Sequence, residues 1–132
     1  MSELIPDLYF DISDQSLTWP AKGLSWKAES GPHGDAELPP GMYLLGRREI
    51  SQFTKSIDKA YKDNATGYGF FIPIYPQFET DRGRKGGRLG IHPDGNIPGT
   101  EGCIGLKAST KAFYDVIGST APSAIISLKV TK

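Results

Sequence analysis

The chain of 132 residues carries 15 basic and 15 acidic side chains, so its formal net charge is zero. This balance excludes a general electrostatic attraction to nucleic acid or to an anionic membrane, and no apolar run approaches the length needed for membrane insertion. The length predicts a single domain over residues 1–132 whose core needs no disulfide. The 16 Gly and 10 Pro are scattered along the chain, which predicts a turn-rich β domain.

The N-terminal segment, from Met1 to Pro6, contains Glu3 and no apolar run of signal-peptide length. We therefore expect a chain that is made in the cytoplasm without a signal peptide, so that any export uses another route. Alternating apolar residues then predict a hairpin with strands over 8–12 and 16–19. Further strands are expected over 26–30, 42–46 and 68–75, while the polar segment 47–66 fits either a short helix or a long excursion.

The second half of the chain begins with a basic turn over 81–87 that leads into a strand ending at His92. A loop rich in Gly and Pro follows, and an apolar pattern resumes over 103–106. Ser109 is expected to cap a helix that runs through Gly118, and the alternation over 123–130 predicts a last strand. The fold class predicted from these elements is mostly β, with one helix near the C-terminus.

His92 and Cys103, which is the single cysteine, are the strongest candidates for chemistry. A free thiol has a reference pKa of about 8.5, so a nucleophilic cysteine needs a neighbour that takes its proton, usually an imidazole. His92 ends one predicted strand and Cys103 opens the next, so we expect both side chains to meet at one rim. Gly102, which lacks a Cβ, would let a substrate carbonyl reach the backbone N–H groups around Cys103, as an oxyanion hole requires. Taken singly, a Cys is more often a small buried apolar residue.

This stretch resembles the motif of the L,D-transpeptidase catalytic domain, the YkuD family, in which a His and a variable loop precede Ser/Thr-x-Gly-Cys-hydrophobic. The matching residues are His92 and then Thr100-Glu101-Gly102-Cys103-Ile104. Upstream, the family's Ser-Gly and Pro-x-Gly-x-Tyr segments are similar to Ser30-Gly31 and Pro39-Pro40-Gly41-Met42-Tyr43. The resemblance covers about residues 8–130 and implies a β-sandwich or barrel with one helix after the cysteine.

The resemblance also implies a reaction. Cys103 would attack the amide after a meso-diaminopimelate-type residue in a peptidoglycan stem peptide and form an acyl-enzyme, with no metal or organic cofactor. His92 would take the thiol proton and later deliver it to the leaving amine. The family's third group acts from the residue after the His, which here is Pro93, whose carbonyl can orient the imidazole although its side chain cannot.

Three departures from the family pattern indicate a particular branch. Glu101 stands where the family commonly has a second His, Gly105 stands where many members carry Arg, and the loop between His and Cys is short. These features resemble a compact branch of antibacterial effectors and phage wall-degrading proteins. We therefore expect stem-peptide cleavage to be favoured over transpeptidation, in the periplasm or cell wall after delivery or lysis. An effector would also have a cognate immunity protein as a partner.

The remaining candidates concern substrate binding. Arg88 adjoins the predicted site and is suited to bind the carboxylates of stem peptides, whereas the basic residues before it fit a solvated turn equally well. Thr100 is a candidate from the motif, and Glu101 either hydrogen-bonds near the thiol or faces water. Tyr43 either lines the cleft or packs in the core.

Two other classes of function stay open. His33, Asp35, His92 and Asp94, with Cys103, are possible scattered ligands of a zinc-dependent peptidoglycan peptidase, although the chain lacks the paired-His spacing of catalytic zinc sites. A non-catalytic wall-binding module is the third class, and the Cys–His pair argues against it.

Overall fold

The computed structural model describes residues 5–30, 38–57, 61–63, 65–79, 89–93 and 103–132. Within these residues the chain forms strands and one α-helix, and two 3-10 turns lie at Pro20–Lys22 and Arg47–Glu49. The strands are β1 (Leu8–Asp11), β2 (Ser16–Trp19), β3 (Leu24–Glu29), β4 (Gly41–Leu45), β5 (Ser51–Thr54), β6 (Gly69–Pro76), β7 (Gly90–Pro93), β8 (Ile104–Leu106) and β9 (Ser127–Thr131), and the helix is α1 (Thr110–Gly118).

Eight of these strands close into a barrel in the order β4, β9, β1, β2, β3, β8, β7, β6, with β6 pairing back onto β4. β5 continues the sheet beside the first half of β6. Most neighbours are antiparallel, but β1 with β9 and β7 with β8 are parallel pairs. The predicted fold class is thus confirmed as mostly β with one helix, and the barrel is closed.

The predicted hairpin is confirmed, because Phe10 lies opposite Leu17 in an antiparallel pair of β1 and β2. The other predicted strands are present with ends shifted by a few residues. The segment 47–66 is different from both expectations where it is described. A 3-10 turn over Arg47–Glu49 leads into β5, which pairs antiparallel with β6 at the edge of the sheet.

The helix spans the predicted residues, but its expected cap is wrong. Ser109 occupies the N-cap position with left-handed backbone angles (φ 53°, ψ 39°), and its side chain makes no capping hydrogen bond. A capping side chain requires an extended backbone at this position to reach the free N–H groups of the first turn. The carboxylate of Asp63 lies there instead, because it accepts a hydrogen bond from the hydroxyl of Thr110 at 2.5 Å.

The interior of the barrel is filled by apolar side chains that alternate along each strand. α1 adds Phe113 and Ile117 to this core, and the ring of Phe113 meets Trp26 edge to face with centroids 4.9 Å apart. Ile91 of β7 and Ile104 of β8 are fully buried in the same core. In the part of the chain that the structure describes, no helix is long and apolar enough to cross a membrane.

Candidate active site

The two candidate catalytic residues lie on neighbouring parallel strands. β7 and β8 pair with Ile91 opposite Ile104 and His92 opposite Gly105, and Cys103 directly precedes β8. Parallel strands need a crossover connection, and here that connection, residues 94–102, lies outside the described residues. The pairing brings together two residues that are eleven positions apart in sequence.

Side-chain alternation decides which face of the barrel wall these residues occupy. Ile91 and Ile104 point into the core, so the residues on either side of them point outward, since successive side chains of a strand alternate. His92 and Cys103 therefore share the outer face of the wall. Sequence analysis expected two adjacent strands to bring both side chains together at one rim, and β7 and β8 are indeed adjacent strands.

Both side chains are nearly enclosed on that face. His92 is 5% exposed and Cys103 is 7% exposed, and neither belongs to the apolar core of the barrel. Cys103 forms no disulfide. A thiol and an imidazole shielded from bulk water interact more strongly with nearby dipoles than exposed groups do.

The His92 imidazole is oriented by its own backbone neighbour. Its Nδ1 atom lies 2.7 Å from the carbonyl oxygen of Pro93. A carbonyl oxygen can only accept a hydrogen bond, so Nδ1 carries the proton and donates it. In the neutral ring this leaves the lone pair on Nε2, which is the arrangement that a general base uses.

Two aromatic rings hold the imidazole from the sides. Phe71 of β6 stacks on it with a centroid distance of 5.9 Å and an interplanar angle of 12°. Tyr61 contacts it at 4.8 Å with a tilted ring, and Tyr61 and Phe71 also touch each other at 4.8 Å. Tyr61, Phe71 and His92 thus form a cluster in which every ring contacts the other two, which we call the aromatic cluster.

Phe71 fits beside His92 only because Gly90 lacks a side chain. A Cβ built on Gly90 would overlap the ring edge of Phe71 and crowd the carbonyl oxygen of Ile72. Gly105, the residue opposite His92 on β8, likewise presents no side chain to the imidazole.

Several residues predicted for the site cannot be placed. Arg88, Thr100, Glu101 and Gly102 lie outside the described residues, as do His33, Asp35 and Asp94 of the zinc hypothesis. Their predicted roles remain predictions.

Tyr43 is a correction to the predicted substrate-binding residues. Its side chain has no exposed surface, its hydroxyl donates to the carbonyl oxygen of Pro39 at 2.6 Å, and its ring packs edge to face on Phe78. A side chain enclosed in this way belongs to the core, because its position in β4 points it into the barrel. Of the two alternatives for Tyr43, packing in the core is therefore the one that the structure shows.

The two aromatic members of the cluster were missed by sequence analysis. Phe71 has a signal in the sequence: it alternates with Phe70 and Ile72, two core residues of a predicted strand, and so must point away from the core. Tyr61 has none, since it lies in an irregular polar segment whose position over β7 depends on contacts distant in sequence.

Comparison with known proteins adds no relative. A search of protein-family models and a search of curated proteins both found no match to this chain.

Among the described residues, no group of three or more His, Cys, Asp or Glu side chains is placed to hold a metal ion.

Proposed function

We propose that this protein is a cysteine-nucleophile enzyme that acts on peptidoglycan stem peptides, similar to the L,D-transpeptidase family that its His-to-Cys motif resembles. The observation that carries the proposal is the hydrogen bond from Nδ1 of His92 to the Pro93 carbonyl at 2.7 Å. It leaves Nε2 as the basic atom of a nearly buried imidazole, on a strand next to the one that Cys103 precedes.

The chemistry follows from these two side chains. Nε2 of His92 takes the proton of the Cys103 thiol, and the sulfur attacks the carbonyl carbon of the scissile amide. The tetrahedral intermediate collapses when the amide C–N bond breaks and the imidazolium gives its proton to the leaving amine. The resulting thioester is then attacked by water, which His92 deprotonates, and the second collapse releases a carboxylic acid and restores the thiol.

We favour water over an amine as the acceptor, which makes the reaction a cleavage. A transpeptidase has to hold a second stem peptide while it excludes water from the thioester, and this needs an extended acceptor surface. The chain offers a short connection between His92 and Cys103 and has Glu101 where the family commonly has a His. Delivery into the periplasm or wall, or release on lysis, is the setting in which such cleavage is useful, and a cognate immunity protein would accompany an effector.

The proposal is tested on purified peptidoglycan. Wild-type protein and Cys103→Ala are incubated with the polymer and with isolated muropeptides, and the products are identified by mass spectrometry. We expect wild type to produce shortened stems such as tripeptides and Cys103→Ala to produce none. Thermal unfolding of the two proteins serves as the folding control, because a small buried Cys replaced by Ala removes only one sulfur from a site outside the barrel core.

The outcomes separate the parts of the proposal. Abundant new dimers or exchanged tetrapeptides would show transfer and refute the preference for cleavage. Product formation by a folded Cys103→Ala variant would refute the thiol mechanism. If a folded wild-type protein leaves both substrates unchanged, the substrate class itself is wrong.

A further inference from the structure

Tyr61 is the member of the aromatic cluster that no strand holds in place. Phe71 and His92 belong to β6 and β7, but Tyr61 lies in the irregular segment between β5 and β6. It is nevertheless in contact with both other rings, at 4.8 Å from each. Contacts made by the residues next to Tyr61 must therefore fix the position of this ring.

The residues after Tyr61 form a tight turn centred on Asp63. Oδ1 of Asp63 accepts hydrogen bonds from the backbone N–H groups of Ala65 at 2.7 Å and Thr66 at 3.4 Å. Its backbone N–H donates to the carbonyl of Tyr68 at 2.7 Å, and its own carbonyl accepts from Gly67 at 2.8 Å. Asp63 thus organises the turn from both its side chain and its backbone.

The second carboxylate oxygen of Asp63 ties this turn to the helix. Oδ2 accepts a hydrogen bond of 2.5 Å from the hydroxyl of Thr110, the first residue of α1. Thr110 is only 4% exposed, so its hydroxyl needs an internal partner, and hydrogen bonds to a carboxylate are stronger than neutral ones. The negative charge also lies at the favourable, N-terminal end of the helix dipole.

The backbone of Tyr61 is seated on the start of β6 as well. Lys62 forms an isolated bridge to Gly69, and a Cβ on Gly69 would overlap the carbonyl oxygen of Tyr61. Two anchors close to Tyr61 in sequence therefore set where it can lie: the backbone contact at Gly69 and the bond from Asp63 to Thr110.

From this arrangement we infer that Tyr61 is a positioning residue for the His92 imidazole, and that the Asp63–Thr110 hydrogen bond holds Tyr61 in that position. Phe71 and Tyr61 limit how the imidazole can rotate, so its Nδ1 stays on the Pro93 carbonyl and Nε2 stays directed outward. The consequence of this role for catalysis rests on the proposed function. Its effect on the imidazole itself does not depend on any substrate.

The experiment compares Tyr61→Leu with Tyr61→Phe, since only the first removes the aromatic ring. The ring nitrogens of His92 are observed by ¹⁵N nuclear magnetic resonance, which distinguishes the Nδ1–H from the Nε2–H tautomer. The chain has two histidines, so a His33→Gln spectrum assigns the signals. We expect wild type and Tyr61→Phe to show the Nδ1–H tautomer, and Tyr61→Leu to show a mixture of both.

On peptidoglycan fragments, we expect kcat of Tyr61→Leu to fall roughly tenfold to 100-fold, the range expected for a misoriented catalytic group, while KM changes little. Thr110→Val deletes the hydroxyl but keeps the side-chain shape, and it should shift tautomer and kcat in the same direction. Thr18→Val, on β2 and half-buried, is the matched control and should change neither the His92 tautomer nor kcat. Because Thr110→Val retains the Tyr61 ring, it tests the inference even if Tyr61→Leu does not fold.

An unchanged His92 tautomer in folded Tyr61→Leu or folded Thr110→Val would overturn the inference. So would a fall in kcat for Tyr61→Phe as large as for Tyr61→Leu, since an aromatic ring would then be insufficient. If wild type has no activity on peptidoglycan, the proposed function fails, but the tautomer measurements still decide the role of Tyr61.

Discussion

The imidazole of His92 and the carbonyl group of Pro93 are held together by adjacent positions in the chain, with Nδ1 and the oxygen 2.7 Å apart. In many enzymes the group that orients a catalytic His is a carboxylate brought in from elsewhere in the fold. Here the acceptor is a backbone atom of the next residue, whose φ is restrained by its ring. The hydrogen-bond acceptor is therefore supplied locally, whereas the rings of Tyr61 and Phe71 that contact the imidazole come from distant segments of the chain.

The first prediction concerns the two histidines. His92→Gln should lower wall-cleaving activity by about 100-fold or more, because general-base catalysis typically contributes a factor of 10² to 10⁴. His33→Gln should leave activity near that of wild type. The measurement is the initial rate of stem-peptide cleavage for each purified variant. The opposite pattern, with His33 essential, would favour the zinc hypothesis.

The second prediction concerns the reactivity of Cys103. If His92 activates the thiol, iodoacetamide should modify Cys103 in the folded protein although its side chain is only 7% exposed, and His92→Gln should slow that modification. A buried structural cysteine would react only after unfolding. Intact-mass spectrometry over time, in buffer and in denaturant, measures both rates. Modification that requires denaturant would contradict an activated thiol.

The third prediction separates thiol from metal catalysis by inhibition. Iodoacetamide should abolish cleavage, whereas a metal chelator should leave it intact, because the proposed steps use only a thiol and an imidazole. Residual activity is measured on the same peptidoglycan preparation after each treatment and after removal of the reagent. Loss of activity with the chelator, restored by added zinc, would favour a zinc peptidase. Binding without cleavage under all conditions would favour a wall-binding module.

The fourth prediction concerns Gly90, which lies against Phe71 of the aromatic cluster. Gly90→Ala should destabilise the protein by roughly 1–3 kcal/mol, the usual cost of overpacking, because its Cβ would overlap the ring of Phe71. Gly118→Ala is the matched control: it ends α1, its Cβ would meet no atom within 4 Å, and Ala favours a helix by up to about 1 kcal/mol. Urea unfolding measures the free energy of unfolding of both variants. Equal stability of the two variants would contradict the packing at Gly90.

The local features of this protein are readable from its sequence. Alternation identified the hairpin of β1 and β2 and the last strand β9, because one side of each strand faces the core. The aromatic and β-branched composition of β6 identified it as a buried strand. The Thr-x-Gly-Cys pattern singled out Cys103, and the preceding strand pattern singled out His92. The contact with Pro93 was also accessible, since the family resemblance pointed to the residue after His92 and to its carbonyl.

The remaining features depend on contacts between segments that are distant in sequence. The parallel pairing of β7 with β8, the closure of β6 onto β4 and the bond between Asp63 and Thr110, 47 residues apart, join segments that carry no mutual signal in their local patterns. Tyr61 meets His92 for the same reason: its position results from long-range hydrogen bonds and close backbone packing. Local periodicity indicates which side of a strand is apolar, whereas the packing of the whole barrel determines which residues each side chain contacts.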